Sequence, residues 1–324
     1  MLALFIEQFI LTFNAVTPFF LIMGLGWFVR KRGLVGDTFF AGLNKLAFMC
    51  LFPAMLFMGI YRADLYIAFN PALVAYFIFG VVAVFSLLWV IAGRFIKDRQ
   101  KLAAFVQISY RCNYMVLATA IIVSLMGPES MPQAALMVPI VTSLQTSLAA
   151  ILFVVTGLST ELSGLERAKG VVIGILKMPM IITSLLAVPV NLLGITLPIV
   201  VDRGLSSIAD MAAPIALLGV GGVLSLDKVR RHLRFALVGT AMKNIIVPIA
   251  LIVPAVLLGF RGIDLAIIAL FGLSPVATVS YITATQMGGP EAGEYTASGL
   301  VFSNAIAVFT IVPGLTILGV LGLL

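Results

Sequence analysis

Met126-Gly127-Pro128-Glu129 ends one apolar run, and Met287-Gly288-Gly289-Pro290-Glu291 ends another, 162 residues later when Gly-Pro-Glu is aligned. The spacing recurs along the chain. Pro18 and Pro179 interrupt apolar runs 161 residues apart, and so do Pro53 and Pro214. Gly33 and Gly194 close their runs at the same offset, and Thr142-Ser143 corresponds to Ser303-Asn304. An offset near half of 324 residues predicts one unit written twice, over 1–160 and 161–324. If each unit holds an odd number of membrane spans, the two copies lie upside down relative to each other.

The chain is 62% hydrophobic and 10% charged, with a mean hydropathy of +1.19. Soluble domains carry roughly 25% charged residues, so the solvent for this surface is lipid. The net charge of +7 does not point to nucleic acid, because the cations fall in short clusters between apolar runs. Cys50 and Cys112 both lie in apolar spans and read as free thiols. Met1 to Ile10 lacks a basic n-region and contains Glu7, so it reads as the start of a retained first span.

Ten segments are long enough to cross the hydrocarbon: 5–29, 37–60, 71–94, 101–126, 132–157, 168–193, 198–223, 232–259, 263–287 and 294–322. The longest polar stretch between them is the middle linker, near Ser159 to Lys169. Loops after the odd-numbered spans hold Arg30, Lys31, Arg32, Arg94, Lys97, Arg99, Lys101, Arg167, Lys169, Lys228, Arg230, Arg231 and Arg234. Loops after the even-numbered spans hold Arg62, Arg203 and Arg261. By the positive-inside rule the odd loops are cytoplasmic and both termini are outside. The remaining cations, Lys45, Arg111, Lys177 and Lys243, lie inside spans.

Several strings in this frame resemble the auxin efflux carrier family. Leu43-Asn44-Lys45-Leu46, followed by Phe52-Pro53-Ala54, resembles that family's N-K-L…L-P-A pattern in span 2. Tyr110-Arg111-Cys112-Asn113-Tyr114 resembles its bacterial R-S-N-Y/F variant in span 4. Gly272-Leu273-Ser274-Pro275 in span 9 and Ser303-Asn304 in span 10 fit its P…S/T pattern. The resemblance implies an all-α integral membrane protein of ten transmembrane helices. They would form a 5+5 inverted repeat in which broken helices 4 and 9 cross. It also implies a transporter of small organic anions in the bacterial inner (plasma) membrane. Spans 1, 2, 6 and 7 would form one panel, and spans 3–5 with 8–10 the body carrying the crossover. The chain departs from the family at Met115-Val116-Leu117-Ala118-Thr119-Ala120, where a Gly and a Gly-x-Pro are usual. That departure predicts a milder break in span 4 or a different substrate.

Arg111 is the sharpest candidate. A charge at mid-bilayer costs between about 2.5 and 17 kcal/mol depending on method, and a guanidinium fork suits a carboxylate. It either binds the substrate anion or pairs structurally with Asp210 or with free carbonyls. Asn113 and Cys112 adjoin it, and Ser274 and Pro275 occupy the matching place in span 9. These residues, with Asn304, form the expected substrate site. Asp210, the lone deep acid, is expected to set coupling, or else to ion-pair with Lys243, Lys177 or Lys45. Asn44, Lys45, Pro53, Thr142, Ser143, Gln145, Lys243 and Ser303 are supporting candidates, with helix glue and snorkelling as the bland alternatives. Cys112 is expected to line the path and Cys50 to be more shielded. Gly219, Gly221 and Gly222 read as close helix packing or a hinge, not a phosphate loop.

The single histidine, His232, lies in a basic loop, and no nucleophile has a base and an orienter. No enzyme activity, metal or cofactor is expected. The expected partners are a small mono- or dicarboxylate and the bilayer, with no nucleic acid; a homodimer is left open, and so is proton or sodium as coupling ion. Two other functions stay open: a sodium-coupled symporter of the bile-acid type, and a substrate-gated channel or sensor.

Overall fold

The computed structural model describes residues 2–156, 173, 176–177, 179–223 and 232–324. The middle linker and the cations Arg167, Lys169, Lys228, Arg230 and Arg231 lie outside the described residues. The helices run α1 (Leu2–Lys31), α2 (Asp37–Leu46), α3 (Phe52–Tyr61), α4 (Leu65–Ala68), α5 (Pro71–Phe95) and α6 (Arg99–Tyr110). Then come α7 (Thr119–Met126), α8 (Met131–Val155), α9 (Pro179–Leu192), α10 (Ile199–Asp210) and α11 (Ala212–Val223). The last are α12 (Leu233–Ala241), α13 (Val247–Leu257), α14 (Gly262–Leu273), α15 (Thr278–Ile306) and α16 (Val308–Val320).

No strand occurs among the described residues. Among the described residues seven helical stretches are long and apolar enough to span a membrane, or eight if α14 and α15, bent by 50° at their junction, count as one. Two shorter apolar helices, Ile181–Leu192 and Val308–Val320, accompany them. Of the expected sixth span, residues 173, 176–177 and 179–193 are described, and they carry the helix Pro179–Leu192.

Proline chemistry explains several local features. A proline cannot donate to the carbonyl four residues back, and its ring crowds that carbonyl. Pro53 and Pro248 each follow a single π-helical turn, Ala47–Leu51 and Met242–Ile246 respectively. The wider turn absorbs the misfit and keeps α2–α3 and α12–α13 continuous. Pro275 acts differently. The residue before a proline is pushed out of the α region, and Ser274 has φ −63°, ψ 140°, so α14 stops at Leu273. Gly127 (φ 90°, ψ 165°) and Gly289 (φ 86°, ψ 176°) adopt the same left-handed backbone ahead of Pro-Glu. Only glycine adopts that conformation without strain.

One group of helices packs through glycine. α1 lies on α11 so closely that a Cβ at Gly221 would stand 1.9 Å from the Met23 carbonyl oxygen. A Cβ at Gly26 would stand 2.2 Å from that of Leu218. Gly222 receives the Phe40 ring of α2. The glycines therefore serve packing, as small residues do where lipid removes any hydrophobic drive between helices. α3 packs on α9 and α10. Asn191 Nδ2 donates to the carbonyls of Tyr61 (2.8 Å) and Ala63 (2.7 Å) at the end of α3. Arg62 pairs with Asp202 at 2.8 Å. α1, α2, α3, α9, α10 and α11 pack together as a panel in this way, and α1 also lies along α16. The other body sets α6 against α5 and α15, α12 against α15, and α13 against α14.

Candidate functional site

Two helix breaks meet inside the second body. After Tyr110 the chain leaves the helix at Arg111 (φ −80°, ψ 131°) and re-enters through a π turn at Tyr114–Ala118. The other break runs from Ser274 to Ala277. The Asn113 N–H donates to the Pro275 carbonyl at 2.8 Å, so the two interrupted segments touch through their backbones. Residues 111–113 leave the helix, yet Arg99–Met126 still runs as one span, whereas α14 and α15 bend by 50° at theirs; the break in span 4 is the milder of the two, as its missing Gly and Pro predict. A backbone partner in the other break supplies what local residues do not.

Side chains close most of the remaining open groups. The Val276 N–H donates to Ser303 Oγ (3.3 Å), and Asn304 Nδ2 donates to the Val276 carbonyl (3.0 Å). Ser303 Oγ donates to Asn244 Oδ1 at 2.9 Å. Lys243 Nζ donates to the carbonyls of Phe271 (3.2 Å) and Gly272 (2.7 Å), near the end of α14. Unpaired backbone in a membrane interior costs several kcal/mol per group, roughly, and these bonds remove that cost.

Between the breaks and the panel lies a cavity of about 220 Å³. Its floor is Arg111, Cys112, Asn113 and Ala277 to Val279; its walls include Thr142, Gln145 and Thr146 of α8, and Ala216 and Val220 of α11. Asn44, Phe48 and Met49 close it from the α2 side. Arg111 is 3% exposed. Its Nη1 donates to Thr283 Oγ1 at 3.1 Å, and no carboxylate pairs with it among the described residues. Gln145 Nε2 approaches Cys112 Sγ at 3.2 Å. The hydroxyls of Thr146 and Thr278 line the cavity, are shielded from solvent and have no hydrogen-bond partner.

A second cavity of about 540 Å³, on the Arg30 side, shares Asn44, Phe48, Thr278 and Val279 with the first and adds Lys45. Among the described lining residues the two hold Arg30, Lys45 and Arg111 and no acid. A third cavity of about 770 Å³, on the Arg62 side, holds Glu129 and Asp210 and shares no lining residue with the crossover cavity.

Of the expected substrate residues, Arg111, Cys112 and Asn113 line the crossover cavity. Ser274, Pro275 and Asn304 do not: the Pro275 carbonyl joins the two breaks, and Asn304 ties the span 9 break to α15. Among the supporting residues, Asn44, Thr142 and Gln145 line it, Lys45 lines its neighbour, and Pro53, Ser143, Lys243 and Ser303 stand apart. Asp210 is exposed in the Arg62-side cavity, with no ion pair to Lys243, Lys177 or Lys45. The cysteines correct an expectation: Cys50 is exposed and Cys112 buried. Thr283, Thr146, Thr278 and Phe48 were missed, because ordinary threonines and phenylalanines carry no signal in an apolar span.

A family model described as a membrane transport protein matches residues 11–313. No individual curated protein matches the chain. Members of that family are transporters rather than enzymes. With several helices apolar enough to cross a bilayer, the chain is a multi-pass membrane protein that takes a small-molecule substrate. Its match over nearly the whole length places it in the membrane transport protein family, the auxin efflux carriers.

Proposed function

We propose that the protein is a secondary active transporter that moves a small mono- or dicarboxylate across the plasma membrane by alternating access. The observation that carries this is Arg111: buried, without an acid partner, and facing a cavity at the crossing of two broken helices. Arg111 is the group that meets the carboxylate, with Asn113, Thr146 and Thr278 as further hydrogen-bonding groups. The cavity's 220 Å³ falls below the about 300–1,000 Å³ usual for drug-sized ligands, which favours a small acid over a bile-acid-sized one.

The architecture behind this reading is ten spans in two inverted halves, 1–160 and 161–324. Asn113 and Pro275 support it, because they are 162 residues apart, the offset of the Gly-Pro-Glu repeat. Equivalent residues of two copies meet at the axis that relates them. The matched backbone of Gly127 and Gly289 supports it too. Asp210, in a cavity separate from the crossover, is the coupling group of this scheme. With the Arg30 side read as cytoplasmic from the cationic loops, the two cavities that share Asn44, Phe48, Thr278 and Val279 fit a path opening inward.

The test is a thermal-shift screen of the purified protein against organic acids, followed by counterflow in proteoliposomes. A hit that stabilises the protein by mass action should also drive saturable exchange. Fast flux without saturation or counterflow would replace the carrier with a channel.

A further inference from the structure

Lys243 is fully buried, at 0% exposure, and no acid pairs with it among the described residues. A lone buried ammonium is costly unless something balances it. Here the balance is the end of a half-helix. α14 stops in mid-body at Leu273, and the last carbonyls of a helix have no partners within it. That end also carries roughly half a negative charge from the aligned peptide dipoles. Lys243 Nζ sits on two of these oxygens, 2.7 Å from Gly272 and 3.2 Å from Phe271. Lys243 and its neighbour Asn244, both buried, lie in the π turn Met242–Ile246.

Broken helices in transporters commonly present such carbonyl ends to a coupling cation. In this chain a covalently attached cation already occupies the position. We propose that Lys243 is a positioning residue that serves as the resident cation of the crossover, so that the protein has no sodium site at the α14 end and works without sodium. The inference rests on the crossover as the transport site, and it separates this protein from a sodium-coupled symporter.

The test needs no substrate. The purified full-length protein is unfolded thermally in sodium chloride and in choline chloride at equal ionic strength, as wild type, Lys243→Ala and Lys243→Met. The wild type should show the same midpoint in both salts. Lys243→Ala opens a space lined by the Phe271 and Gly272 carbonyls, so sodium should raise its midpoint by about 2–4 °C over choline, the shift expected for modest added stability in a chain of this size or slightly smaller. Lys243→Met fills the space without charge and should be destabilised equally in both salts. A merely structural lysine would give the same loss in either salt for both variants. A sodium-specific shift in the wild type would overturn the proposal, and so would a Lys243→Ala protein indifferent to the salt. If Lys243→Ala does not fold, the wild-type comparison decides alone: no sodium shift supports the proposal and a shift refutes it. Because no organic acid is present, a wrong assignment of Arg111 leaves these results standing.

Discussion

Replacing Arg111 with lysine keeps the charge and removes the fork. Arg111 has five N–H donors, and the structure uses one side-chain bond, to Thr283 Oγ1 at 3.1 Å. The cavity face is left free to give a carboxylate two parallel bonds, which a single ammonium cannot match. Losing one bond to a charged partner costs about 1.5–3 kcal/mol, which is roughly a 10- to 150-fold rise in Kd. Arg111→Gln loses the charge as well and should show no measurable binding. Thr283→Val frees the guanidinium from its anchor and should cost about 1 kcal/mol, roughly fivefold, through lost orientation. The assay is calorimetric titration with the acid identified by thermal shift, on variants whose unfolding midpoints show they are folded. The rival account, a structural pair with Asp210, predicts that Arg111→Gln/Asp210→Asn recovers binding. The two residues line cavities with no residue in common, so no recovery is expected. Recovery in that double variant, or unchanged affinity in folded Arg111→Lys, would refute direct contact.

Four further outcomes are expected. Gly221→Ala forces a methyl to 1.9 Å from the Met23 carbonyl oxygen, so α1 and α11 must separate; yield and unfolding midpoint should fall sharply, and an unchanged midpoint would contradict the packing. A small membrane-permeant thiol reagent should react first with exposed Cys50 without effect, whereas inactivation should follow Cys112, be slowed by substrate and vanish in Cys112→Ser; resistance arising from Cys50→Ser instead would misplace the site. Asp210→Asn should impair net uptake and spare substrate exchange, because Asp210 stands outside the crossover cavity; unimpaired net uptake would leave it without a coupling role. A reporter that fluoresces only in the cytoplasm should be dark when fused to Leu324, and a bright full-length fusion would reverse the topology.

Features set by covalent geometry or composition were readable without the fold. Lipid as the solvent follows from 62% hydrophobic residues. The stop of α14 follows from Ser274-Pro275, since proline acts on its immediate neighbour. The repeat was readable in Gly-Pro-Glu because both glycines must take the same left-handed turn. Arg111 stood out because any deep charge does.

The partners of those residues were decided by tertiary structure. The break at 111–113 holds neither Gly nor Pro, and its place was legible only through the resemblance at Tyr110–Tyr114; there the Asn113 N–H finds the Pro275 carbonyl in the other break. Asn304 carries the same amide as a ligand-binding residue would, yet its Nδ2 is turned to the carbonyls of Val276 and Leu300, behind the cavity. Lys243 reads as a candidate partner for Asp210, and only the fold reveals carbonyls of α14 at its end. The reason is common to all three. Inside a bilayer every backbone group freed by a break must be bonded within the protein. Sequence shows which groups are freed, but which distant side chain arrives to bond them depends on how the helices cross.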